Sequence, residues 1–179
     1  MRNRLSLNVA SHNGTEAVNV SVGILLYGSN TLDNQLHSNI ASFNGNNALA
    51  ANGFGGVIGI YMTTNNSGTI KNNDIRWNHT HHNGNRNSIV PVPGHGLWIE
   101  STLPSMISKN KVIKNQSNFN AKIGISVEGT DNSNPNIINK NRAINNFTVD
   151  FDDPNMGCLG NDWGFNIETT QFINGCPNP

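Results

Sequence analysis

Two apolar patterns alternate along the chain. One is a fixed motif: an apolar residue, two free positions, Asn, one free position, an apolar residue, two free positions and Asn. It occurs as Leu5…Asn8…Ala10…Asn13, Leu36…Asn39…Ala41…Asn44, Ile70…Asn73…Ile75…Asn78, Ile107…Asn110…Val112…Asn115, Ile138…Asn141…Ala143…Asn146 and Cys158…Asn161…Trp163…Asn166. The offsets inside each copy are constant, whereas the copies start 20 to 37 residues apart. A constant unit joined by loops of variable length marks a solenoid. The other pattern is Gly followed by alternating residues: Gly23-Ile24-Leu25-Leu26, Gly59-Ile60-Tyr61-Met62, Gly96-Leu97-Trp98-Ile99 and Gly124-Ile125-Ser126-Val127, with a weaker version at Thr148-Val149-Asp150-Phe151. A period of two means a strand with one buried face. Each repeat thus predicts three short strands: one after the Gly, one ending near the first apolar residue of the Asn motif, and one after its first Asn. No stretch carries helical periodicity. The expected fold class is all-β, a single-domain parallel β-helix of about six coils over residues 1–179.

On these motifs, from about Leu5 to Cys176, the chain resembles the right-handed parallel β-helix proteins of the pectate lyase-like superfamily. The resemblance implies a right-handed solenoid whose Asn side chains stack from coil to coil at tight turns. The chemistry suits that role. Asn tolerates the left-handed backbone such a turn needs, and its amide both donates and accepts. About a fifth of the residues are Asn. The fold alone says little about activity, because it hosts many.

Composition then narrows the field. Charged residues make up 12% and the formal net charge is zero, so no basic surface points to nucleic acid. No apolar run approaches the roughly 20 residues needed to span a bilayer, and no signal peptide is recognisable. A hydrophobic content of 35% suffices when the core is a narrow tube. Leu5 already belongs to a coil motif, with nothing before it to cap an open coil. That arrangement suggests the C-terminal part of a longer chain, or a homo-oligomer or other chain pairing at the open N-terminal coil. Cys158 and Cys176 are separated by close to one short coil, with residues 157–179 as the terminal turn. Successive layers lie about 4.8 Å apart, within disulfide reach. A Cys158–Cys176 disulfide implies an extracellular or periplasmic protein; two buried thiols are the alternative.

Function must lie on the outside of the strands after each Gly. There the first and third residues point inward and the second and fourth outward. In-register stacking predicts one outer column of Leu25, Tyr61, Trp98, Ser126 and Asp150, and another of Tyr27, Thr63, Glu100, Glu128 and Asp152. An aromatic patch (Tyr27, Tyr61, Trp98) would then adjoin an acidic one (Glu100, Glu128, Asp150, Asp152). Aromatic faces bind the apolar faces of sugar rings, although they are also ordinary strand residues. The stacked carboxylates suit Ca²⁺, which takes oxygen ligands at about 2.3–2.6 Å, or two-carboxylate glycoside chemistry at about 5 Å separation. A solvated acidic stripe is the bland alternative. Long connections over 45–58 and 79–95 would flank this face. The second carries His79, His81 and His82, which lack the fixed spacing of a zinc motif.

Gly94-His95-Gly96 resembles the Gly-His-Gly element of polygalacturonases, but their upstream Asn-Thr-Asp and Asp-Asp elements and following Arg-Ile-Lys have no counterpart here. A pectate lyase needs an Arg or Lys base, for which Arg86 and Lys122 are the nearby candidates. The expected function is binding or processing of a polysaccharide, with Tyr27, Tyr61, Trp98, Arg86 and Lys122 as substrate contacts. Glu100, Glu128, Asp152 and His95 are the candidate catalytic residues of a lyase or glycoside hydrolase-like enzyme. Glu100, Glu128, Asp150 and Asp152 are the candidate Ca²⁺ ligands. The rival expectation is a structural or adhesive module, such as an adhesin, tailspike or surface-fibre segment.

Overall fold

A computed structural model describes residues 2–14, 20–45, 56–86, 92–101, 106–155, 158 and 160–169. Its strands form three sheets. The first contains β1 (Arg4–Ser6), β4 (Gln35–His37), β7 (Asp74–Arg76), β11 (Lys111–Ile113), β14 (Asn136–Asn139) and β17 (Asn161–Gly164). The second contains β2 (Val9–Ser11), β5 (Ile40–Ser42), β8 (His79–His81), β12 (Gln116–Asn118) and β15 (Arg142–Ile144). The third contains β3 (Val20–Leu32), β6 (Gly56–Lys71), β9 (Gly94–Ser101), β13 (Ile123–Val127) and β16 (Val149–Asp152), with β10 (Met106–Ser108) beside the end of β6. Pairing between these strands is parallel throughout. Between neighbours of one sheet the chain visits the other two, an arrangement consistent with a β-helical solenoid.

Asn side chains tie the layers together in three ladders. One runs Asn3, Asn34, Asn73, Asn110, Asn136 and Asn161. The second runs Asn8, Asn39, Asn78, Asn115, Asn141 and Asn166. The third runs Asn13, Asn44, Asn83, Asn120 and Asn146, and ends on Asp150. In a typical rung the backbone N–H of Asn39 and its Nδ2 both donate to Asn78 Oδ1, at 3.0 and 2.9 Å, while Nδ2 also reaches the Leu5 carbonyl at 3.0 Å.

The ladder residues do not themselves take the left-handed backbone. The residue before each does so at most corners: Leu7, Ser38, Trp77, Lys114, Lys140 and Phe165 on the second ladder, and His12, Phe43, His82, Phe119 and Asn145 on the third. None of the non-glycine positions with positive φ is β-branched, the class least able to adopt it. One left-handed residue costs about 1–2 kcal/mol. The two or three rung hydrogen bonds beside it, each worth about 0.5–1.5 kcal/mol net, are large enough to offset that cost.

Register corrects the phase of the sequence motif. Leu5, Leu36, Ile75, Val112, Ile138 and Trp163 occupy one inward row. The copies beginning at Ile70, Ile107 and Cys158 are therefore five residues out of step with the other three. The cause is a five-residue spacing of three Asn per layer, as in Asn34, Asn39 and Asn44, so a two-Asn motif fits in either phase. Ile70 instead lies between Thr31 and Ile107.

The tube is filled from all three walls by Leu36, Ile75, Val112 and Ile138, by Ile60, Met62, Leu97, Ile99, Ile125, Val127 and Phe151, and by Ala41 and Ala143. The second sheet and the Gly row approach each other closely. A Cβ on Gly96 would lie 1.8 Å from Ser117 Oγ and 2.6 Å from both the Gly124 carbonyl and Thr80 Oγ1. Glycine here makes space for its neighbours. Cys158 packs partly buried against the core; Cys176 lies outside the described residues.

Candidate functional site

The outer face of the third sheet carries the residues singled out from the sequence. As alternation requires, Ile60, Met62, Leu97 and Ile99 are buried, whereas Tyr61, Trp98 and Glu100 are half-buried. Register places Leu25, Tyr61, Trp98, Ser126 and Asp152 in one row. The other row begins Tyr27, Thr63, Glu100, and Glu128 follows Val127 at the end of β13.

Two expected positions change. Asp152 stands beside Ser126, in the row where Asp150 was expected, with Ser126 Oγ donating to Asp152 Oδ2 at 3.2 Å. Asp150 does not reach the outer face. It is buried at the foot of the third ladder, where Oδ1 accepts from the Asn146 N–H at 3.1 Å and Nδ2 at 2.8 Å, and Oδ2 from the Thr169 N–H at 2.7 Å and hydroxyl at 2.9 Å. The fifth copy has no Gly after its Asn motif, so the alternation alone could not fix its register.

Tyr61, Trp98 and His95 form a continuous aromatic surface. The Tyr61 and Trp98 rings lie 5.4 Å apart at a 35° tilt, and His95 stacks on Trp98 at 4.1 Å. The Tyr61 hydroxyl donates to Glu100 Oε1 at 2.7 Å. Burial, reinforced by that carboxylate, pushes the phenol up to about 12. The Ser101 N–H donates to Glu128 Oε2 at 2.7 Å. Burial raises the pKa of Glu100, Glu128 and Asp152; Glu128 adds to the rise at Glu100, and Asp153 adds to it at Glu128 and Asp152. Hydrogen bonds from Tyr61, Ser101 and Ser126 offset part of these shifts. His95 goes the other way, held down to about 3 by burial and secondarily by Lys122.

Tyr61, Trp98, Glu100, Glu128 and His95 thus cluster, with Asp152 beyond Ser126. Tyr27 is exposed at the N-terminal edge of the sheet, with Thr63 between it and Glu100. Lys122 is exposed and close enough to bias His95 and Asp152. Arg86 lies elsewhere: its guanidinium donates to the carbonyls of Asn120 and Asn145 and sits 6.0 Å from the Phe147 ring. Of the expected flanking loops, 45–58 falls largely outside the described residues, at 46–55, whereas 79–95 does so only at 87–91. The latter begins as strand β8, and Asn85 bridges Val92 antiparallel before β9 starts at Gly94. Sequence reasoning missed Asp153, a fully buried carboxylate that accepts from Trp163 Nε1 at 3.0 Å and Asn161 Nδ2 at 2.9 Å. The Asp152-Asp153-Pro154 run was its only sequence signal.

Among the described residues, no three His, Cys, Asp or Glu side chains converge to hold a metal ion, and the four proposed Ca²⁺ ligands form no such group. Nor is any described helix long and apolar enough to cross a membrane. No protein-family profile, curated protein or solved structure matches the chain.

Proposed function

We propose that the chain is a secreted, right-handed parallel β-helix that binds a polysaccharide along the outer face of β6, β9 and β13. The observation carrying this reading is the adjacent Tyr61 and Trp98 rings, with a Glu100 carboxylate fixed at their edge by the 2.7 Å hydrogen bond from Tyr61. Such a platform offers apolar faces to sugar rings and acceptors to their hydroxyls. A carboxylate with a raised pKa beside it is also the kind of group that general-acid chemistry uses. The test is a glycan screen with and without Ca²⁺, followed by Trp98→Ala and Glu128→Gln variants. Each should lose at least tenfold in affinity or turnover. Wild-type behaviour in both would remove the assignment.

A structural or adhesive role is the second reading. It is favoured by Leu7, Val9, Val20, Leu25 and Tyr27, all exposed at the N-terminal edge of the sheets. Assembly that depends on concentration and ignores every glycan would select it.

A further inference from the structure

The corner after the second sheet carries a second constellation, away from the Trp98 face. His79 and His81 belong to strand β8, not to a loop, and His82 takes a left-handed turn with φ of 55°. That turn places His82 in a column of flat rings. It stacks between Phe43, at 4.9 Å and 9°, and Phe119, at 5.1 Å and 18°, while His12 continues the stack beyond Phe43. His81 stands edge-on to both Phe43 and His82, with interplanar angles of 85°. The two imidazoles are thus held by aromatic neighbours, with their Nδ1 atoms 3.1 Å apart.

We propose that His81 and His82 form a two-imidazole chelate for a divalent first-row transition ion. Zinc–imidazole bonds of about 2.0–2.1 Å place two nitrogens of a tetrahedral site about 3.3 Å apart, close to the observed separation. In the metal-free protein one Nδ1–H donates to the other Nδ1. Binding replaces that proton bridge: the donor ring carries its proton on Nε2 instead, and no net proton is released. Water completes the coordination, because His82 is exposed and His81 is only partly covered.

A second observation fits the outer half of such a site. Ligating imidazoles donate their remaining N–H to a carbonyl or carboxylate, which fixes the tautomer. Asn118 is the residue paired with His81 across β8 and β12, and its Oδ1 is buried without a hydrogen-bond partner. It is the acceptor that the Nε2–H of His81 would use.

The experiment is titration of the untagged full-length chain with ZnCl₂ and, separately, NiCl₂, by calorimetry. The variants are His82→Phe, which preserves the ring stack, and His81→Gln. Wild type should bind one equivalent, and each variant should lose at least tenfold in affinity. Long-range proton–nitrogen NMR of the zinc form should show both Nδ1 atoms as ligands. Wild type failing to bind below millimolar zinc or nickel overturns the proposal. So does unchanged affinity in His82→Phe, whose stack and fold are retained even if His81→Gln proves unstable.

Discussion

His95 shows how one residue links burial to solution behaviour. It is 5% exposed, stacked on Trp98, and its Nδ1 has no hydrogen-bond partner among the described residues. Burial, with Lys122 nearby, holds its pKa down to about 3, against about 6.5 in an unfolded chain. Between those values the unfolded state binds the proton and the folded state does not, so stability is lost as pH falls below about 6.5. Glu100, Glu128 and Asp152, with raised pKa values, have the opposite sign and lose stability as pH rises through the carboxylate range. The His95 contribution is isolated by difference. Wild type should lose about 2 kcal/mol more between pH 7 and pH 5 than His95→Gln in urea unfolding. A difference under about 0.5 kcal/mol would mean that His95 is charged or hydrated in the fold.

At the scale of the strand, the chain's repeats told their type more clearly than their phase. Alternation after Gly23, Gly59, Gly96 and Gly124 announced the third sheet and its inward residues correctly. Asn spaced every five residues made two registers equally readable, and only pairing across layers separates Ile70 from Ile75. The neighbouring aromatic pair was therefore visible in advance, whereas the positions of Asp150 and Asp152 depended on a copy without its Gly. The Gly row also has a function that its alternation does not reveal: it accommodates Thr80, Ser117 and the ladder amides across a narrow tube. Gly96→Ala places a Cβ 1.8 Å from Ser117 Oγ. Overpacking of this kind costs about 1–3 kcal/mol, and a loss near the upper end is expected in chemical denaturation. A second change, Ser117→Ala, should recover part of it.

Across the whole molecule the three ladders point the same way. The Asn-to-Asn bonds all run toward the C-terminal layers, and two of the rows finish on acidic side chains, Asp150 and Asp153, which accept and do not donate. Asp153 also holds the indole N–H of Trp163, buried in the last layer of the first sheet. Asp153→Ala removes the carboxylate that accepts from that indole and from the Asn161 amide, which keeps its 2.7 Å bond to the Val127 carbonyl, and should cost about 1–3 kcal/mol for each buried hydrogen bond lost. Hydrogen exchange should show β17 opening well before β7 in the variant; uniform protection would refute a local sealing role. The same two carboxylates give the stack an asymmetry of charge: the described rungs start on neutral amides, Asn3 and Asn13, and finish on buried acidic groups that can only receive.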